Sequence, residues 1–157
     1  MAFSFAASDL KTKQKDLLEC SSTYETLADV VQADRVAGTL WKKDSHARNL
    51  HRLTSTLRFI FLLQQNLCED PAAALSDCAR VAYAESLEPI HHTAVKLAVK
   101  MGLKMAPSRE RYLKSIGESE ETAKEAYARF RSVAEPLHDR ILSYFPEGDS
   151  VPMAGES

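Results

Sequence analysis

Glycine and proline are scarce in this chain of 157 residues, five and six in number, about 7% together where roughly 12% is usual. An all-β fold needs such residues for its turns, so the shortage points to helices. Cysteine is scarce too: Cys20, Cys68 and Cys78 are odd in number, scattered and without a CxxC spacing. That excludes a disulfide framework or a structural zinc site and fits a reduced, cytosolic setting. An excess of one charge is missing, with 20 Lys and Arg against 22 Asp and Glu for a net charge of −2, which excludes a strongly basic nucleic-acid binder. The longest apolar run, Phe59 to Leu63, is far short of the ~20 residues that cross a bilayer, and the first residues lack the charged start of a secretory signal. Glycine-rich phosphate loops, HExxH spacings and local nucleophile signatures are absent, so no catalytic residue, metal or cofactor is expected.

What is present is ordinary for a soluble single domain: 45% hydrophobic and 27% charged residues, enough to build a core without staples. Caps and breakers predict about seven helices. Ser8 is expected to cap a first to about Cys20, and Ser22-x-x-Glu25 to box a second that stops at Gly38. Asp44 is expected to cap a third to about Cys68, and Asp70-Pro71 to open a fourth with Leu75, Cys78, Ala79, Ala82 and Tyr83 on one stripe. Pro89 should break it before a fifth from about Ile90 to Gly102–Ala106. Pro107-Ser108 starts a short sixth that Gly117 ends, and Ser119 a long seventh to about Phe145, bent at Pro136. Residues 1–145 are the expected domain, and the polar stretch PEGDSVPMAGES (146–157) a flexible tail.

Three features depart from a plain amphipathic bundle. The third helix carries its core stripe at Leu50, Leu53, Leu57 and Ile60, yet a second stripe (Arg48, Arg52, Ser55, Phe59, Leu62) turns from arginine to apolar along its length. Arg48 and Arg52 at i, i+4 form a fork suited to phosphate, with a solvated pair beside a thick core as the competing reading. The first helix aligns Asp9, Lys13 and Asp16, where an intrahelical ion pair is the simpler account. His91-His92 follow Pro89; neighbours about 100° apart on a helix cannot both serve one site, so a metal pair is not expected. Charge is also uneven. Between Ala94 and Ile116 six bases (Lys96, Lys100, Lys104, Arg109, Arg111, Lys114) face one acid, Glu110, giving about +5 there and −7 elsewhere. With Leu97, Met101, Leu103 and Met105 alongside, the segment reads either as a membrane-docking surface or as a solvated lysine face.

Three stretches in register, AFSFAASDLKTKQKDLLECSS (2–22), DSHARNLHRL (44–53) and AYAESLEPIHHTAVKLAVKMGLKMAPSRERYL (82–113), resemble the glycolipid transfer protein superfamily, in particular its plant accelerated-cell-death type of ceramide 1-phosphate transfer protein. The resemblance implies an all-α, two-layer helical sandwich that encloses a lipid in a hydrophobic tunnel, and a non-enzymatic carrier or sensor of ceramide 1-phosphate and related phosphosphingolipids. It implies that Asp9 accepts from the ceramide amide and hydroxyl, that His91 donates to the amide carbonyl, and that Lys13, Arg48 and Arg52 hold the phosphate. Phe59, Leu62 and Leu63 would line the tunnel, and Lys96, Lys100, Lys104, Arg109 and Arg111 would dock on an anionic membrane. The cytoplasm, with transient membrane contact, is the implied location. The sugar-binding branch usually has Asn at the position of Lys13 and a stacking Trp at that of Arg52, so both residues here favour phosphate over a glycosphingolipid. Members ordinarily open with a helix ahead of the one holding Asp9, and carry Gly-Trp where this chain has His92-Thr93. Those two departures favour an alternative, a lipid-free helical interaction module on the same fold.

Overall fold

The computed structural model describes the backbone of residues 2–146 and the side chains of residues 7–146. Among these residues it is all-helical: α1 (Ala2–Cys20), α2 (Leu27–Val36), α3 (His46–Glu69), α4 (Leu75–Ser86), a short 3₁₀ turn (Glu88–Ile90), α5 (Thr93–Leu103), α6 (Arg109–Ser115) and α7 (Glu120–Leu142). The expected tail, from residue 147 on, lies outside the described residues.

The elements match the expected order, while several starts fall at neighbouring residues that cap better. Ser8 lies inside α1, its carbonyl accepting from the Thr12 hydroxyl at 3.1 Å. The capping box of α2 is Thr26 with Asp29, each side chain bonded to the other's backbone N–H at 3.2 and 3.0 Å, and not Ser22 with Glu25. Ser22 instead turns its hydroxyl back to Glu19 O at 2.8 Å. Ser45 caps α3, accepting from Arg48 N at 3.2 Å, and Asp44 before it takes a left-handed φ of 62° that its short polar side chain tolerates. Asp70 closes α3, and its carboxylate accepts from Ala72 N at 2.9 Å, so it shapes the loop and α4 begins only at Leu75. α5 starts at Thr93 rather than Ile90, because the 3₁₀ turn at Pro89 uses up the intervening residues.

Helix ends follow the glycines. Gly38 and Gly117 have φ of +66° and +77°, and the residue after each donates back to the carbonyl five residues earlier, Thr39 N to Asp34 O at 2.8 Å and Glu118 N to Leu113 O at 3.0 Å. Ser119 and Thr122 box the start of α7, Pro136 sits inside it without ending it, and the helix stops at Leu142. Phe145, three residues on, is buried and stacks on Trp41.

α3 is the axis of the fold. It packs most extensively against α4 and α7, and also against α1 and α2. Its first half shares a core with Val31 of α2, Leu40, Ile141 of α7 and Phe145, through Ala47 and Leu50. Its second half buries Phe61, Leu62, Leu63 and Leu67 against Leu75, Cys78, Ala79 and Ala82 of α4. Each Leu or Phe so buried contributes about 1.5–3 kcal/mol. α5 is the opposite case. None of its residues is buried, and Leu97 and Met101, with Met105 just beyond (85% exposed), face outward.

Candidate functional site

Two polar anchors fix α1 and α2 to the start of α3. The Asp16 carboxylate meets His46 Nδ1 at 2.8 Å with one oxygen and accepts from Asn49 Nδ2 at 2.8 Å with the other. Asp34, in the last turn of α2, accepts from the backbone N–H of Ala47 at 2.8 Å. One and two helical turns before Asp16 on the same face are Lys13 and Asp9, joined by an ion pair, with the Lys13 side chain 17% exposed.

Arg48 and Arg52 stand one turn apart on α3. Arg48 is buried at 8% exposure, and among the described residues its guanidinium makes no hydrogen bond and no ion pair. Arg52 is half-buried and donates through Nη1 to the carbonyl of Ile90, tying α3 to the 3₁₀ turn. Burial first, then the neighbouring Arg48 charge, lowers the Arg52 pKa to about 10, while Asp9 acts in the opposite direction. His91 follows Ile90 directly. Burial, then Arg52 and His92, lowers its pKa to about 4, again against the pull of Asp9, so the ring is neutral near pH 7. Its Nδ1 lies 3.1 Å from the hydroxyl of Tyr83 on α4.

Asp9, Arg48, Arg52 and His91, from three separate stretches of chain, therefore act on one another electrostatically, with Lys13 bonded to Asp9. The chemistry of the set is that of an anion site. Two crowded guanidiniums repel until an anion lies between them, and their forked donors match phosphate oxygens. A carboxylate that only accepts and an imidazole that is neutral stand beside them, a pairing able to read an amide.

The apolar and basic residues are placed differently. Leu62 and Leu63 are buried in the α3–α4 core and Phe59 packs against it. A separate open groove of about 280 Å³, lined by Ile60, Gln64, Ile116, Tyr127 and Phe130 among others, holds none of the head-group candidates. Lys96 is half-buried on α5, Lys104 and Arg111 are exposed, and Lys100 reaches Glu88 at 2.7 Å. Arg109 is a correction. Its side chain is only 13% exposed, and its guanidinium bonds Glu120 at 2.6 and 2.7 Å, Leu67 O at 2.5 Å and Asp70 O at 3.1 Å. Its charge locks α6 to the end of α3 and the start of α7, so it does not belong to an outward basic face.

Sequence reasoning left three contributors out of the site. Tyr83 is read from the sequence as core and as a spacing mark for His91, eight residues on, and not as its partner; the Ile90 carbonyl carries no side-chain signal; and Asp16, on the same stripe as Asp9, anchors the helix that presents it.

The profile of the family described as Glycolipid transfer protein (GLTP) matches residues 1–118. The ACD11 homolog protein of Arabidopsis thaliana is 31% identical over 146 residues, which is 93% of this chain and 64% of the relative, so the chain spans a little under two thirds of that protein's length. A crystal structure of an aspartate-to-alanine mutant of Arabidopsis ACD11 (accelerated-cell-death 11), complexed with ceramide-1-phosphate, superposes with a TM-score of 0.85 at 29% identity, covering 92% of this chain and 73% of that one. The human ceramide-1-phosphate transfer protein has the same fold, with a TM-score of 0.83 at 20% identity over 97% of this chain and 79% of its own. Helical architecture, profile and relatives agree: this chain belongs to the glycolipid transfer protein family and has that family's all-α fold.

Proposed function

We propose that the chain binds ceramide 1-phosphate and related phosphosphingolipids without chemical change, and carries them between membranes or senses them. The observation that carries this reading is Arg48, an arginine at 8% exposure whose guanidinium has no protein partner among the described residues and which stands one turn from Arg52. A buried charge is expensive unless something neutralises it, and a phosphate with nearly two negative charges does so for both arginines. Lys13 joins them, Asp9 accepts from the amide N–H and hydroxyl, and His91 serves the amide carbonyl. A relative of 29% identity is complexed with a lipid of this class, ceramide-1-phosphate.

Burial of the chains supplies affinity at ~0.8 kcal/mol per CH₂, with Phe59, Leu62 and Leu63 giving way to them along α3. Docking is assigned to α5 and the residues after it, where Lys96, Lys100, Lys104 and Arg111 accompany the exposed Leu97, Met101 and Met105. Such a surface offers charge to anionic head groups and apolar side chains to the acyl boundary. No helix of the described residues is long and apolar enough to cross a membrane.

The test is to incubate purified protein with vesicles containing ceramide 1-phosphate, re-isolate it and quantify extracted lipid by mass spectrometry. One lipid per chain is expected, falling to background in Arg52→Leu and Asp9→Val while helical circular dichroism is retained. Unchanged pickup in both variants overturns the site. A second reading, a lipid-free interaction module, draws support from Leu62 and Leu63 being closed against α4. It requires no stoichiometric lipid in the native protein.

A further inference from the structure

Tyr83 is among the most completely enclosed side chains of the protein, at 2% exposure on the core face of α4. A buried phenol needs a partner for its hydroxyl, since an unpaired O–H away from water costs on the order of 1–3 kcal/mol. Among the described residues the hydroxyl has one hydrogen-bond partner, Nδ1 of His91 at 3.1 Å, with the rings tilted by 40° and their centroids 5.7 Å apart. Burial, with the nearby Glu88 charge, raises the phenol to about 12, so it keeps its proton at every physiological pH.

A neutral imidazole carries one N–H, and there are two ways to place it. If Nδ1 held the proton and donated to the phenol oxygen, the phenol O–H would need a second acceptor. Among the described residues no acceptor other than Nδ1 of His91 lies within hydrogen-bond distance of it. If the phenol donates to Nδ1, its proton and the Nδ1 lone pair are satisfied by a single bond, and the ring proton sits on Nε2, on the far side of the ring from Tyr83.

We propose that Tyr83 is a positioning residue that holds His91 as the Nε2–H tautomer, so that the head-group site presents a fixed N–H donor and selects a ligand with a carbonyl oxygen at that point. The choice of ligand rests on the phosphosphingolipid reading; the tautomer does not. Ceramide 1-phosphate brings an amide carbonyl. The deacylated analogue, sphingosine 1-phosphate, brings an ammonium instead, and a donor facing a donor is rejected.

The experiment is nitrogen NMR of the lipid-free protein with ring-labelled histidine, the His91 signals being assigned by their loss in His91→Gln. Native protein is expected to carry the ring proton on Nε2, and Tyr83→Phe, which keeps the ring volume, to give a mixture of tautomers. Preference for ceramide 1-phosphate over sphingosine 1-phosphate should then fall about tenfold in the variant, the worth of about one such hydrogen bond, with helical circular dichroism unchanged. A native ring protonated at Nδ1, or a tautomer unmoved by Tyr83→Phe, overturns the proposal. Should Tyr83→Phe fail to fold, the native spectrum alone decides between the tautomers. The expected tautomer in a protein that picks up neither lipid overturns the phosphosphingolipid reading and leaves the hold of Tyr83 on the ring established.

Discussion

The two halves of α3 bury opposite chemistry. The second half buries Phe61, Leu62, Leu63 and Leu67, while the first half buries Arg48, Asn49, Thr54 and Ser55, which are all the buried polar residues among those described. Three of these four are satisfied inside the protein: Asn49 by Asp16, and Thr54 and Ser55 by the carbonyls one turn back, Leu50 O at 2.9 Å and His51 O at 3.0 Å. Among the described residues Arg48 has no such partner. The difference separates polarity that is satisfied within the fold from polarity that is not. A single helix thus spans an apolar end and an end whose buried arginine is left without a partner among the described residues.

The largest change expected from breaking this contrast lies in the apolar half. Leu67→Ala, at 2% exposure, should cost about 2–5 kcal/mol in chemical denaturation, because the surrounding α4 side chains cannot fully collapse into the space. Next comes the polar half. Arg48→Met, which keeps most of the buried stem, should leave that denaturation curve unchanged or shifted to higher stability, and should weaken ceramide 1-phosphate binding roughly 10- to 100-fold, the worth of a charged hydrogen bond. Binding and stability would then separate along one helix. A loss of stability as large as that of Leu67→Ala would mean that Arg48 serves the fold.

Acid sharpens the same comparison with a smaller effect. His51 lies edge-on to Trp41 and Phe145, and burial, Arg52 and His138 lower its pKa from 6.5 to about 4; His91 is lowered to about 4 as well. The unfolded chain takes up these protons first. Stability from both histidines is therefore complete above pH 6.5 and falls as the pH drops toward 4. At the other end of α3, the hydrogen bond from Arg109 holds the Glu120 carboxyl below its ordinary 4.5. That contribution is present above pH 4.5 and lost only as the pH falls through the lowered value. Thermal melts between pH 7 and 4 should decline in the native protein and about half as steeply in His51→Phe, where His91 alone remains, whereas Glu120→Gln should lower the melting point without changing that slope. Equal slopes in native protein and His51→Phe would remove His51 from the account.

The smallest effect on stability is expected on α5, which belongs to neither core. Leu97→Ser with Met101→Ser should change stability by less than about 0.5 kcal/mol, since both are exposed, yet slow lipid transfer from anionic vesicles severalfold. Transfer at the native rate would take α5 out of the docking surface.

Much of this was legible in the sequence, because helix order follows from local chemistry. Gly38, Gly117, Ser108 and Ser119 stop or start helices through bonds within a few residues. The stripes of α3 were read less well: of the expected core stripe only Leu50 is buried, Leu53 and Leu57 are half-buried and Ile60 is 42% exposed, because the helix turns Arg48, Ser55 and Leu62 of the other stripe inward. Starts were less legible where two cappers compete, as Ser45 against Asp44 or Thr26 against Ser22, since the choice depends on which backbone N–H each can reach. Long-range partners were not legible at all. Arg109 reads as one base in a basic run until Glu120 and the Leu67 carbonyl are beside it, and Tyr83 reads as core until its hydroxyl meets His91. The head-group set could be named only because three stretches resembled a family in register; no single spacing identified it.

The central claim is that the charged half of α3 is completed by the phosphate of a sphingolipid. The most direct measurement is protein-mediated transfer of fluorescent ceramide 1-phosphate between vesicles, with galactosylceramide run beside it at the same salt. Selective transfer of the phosphate lipid, lost in Arg48→Met, is the predicted result. Equal transfer of both lipids, or of neither by a folded protein, would contradict it.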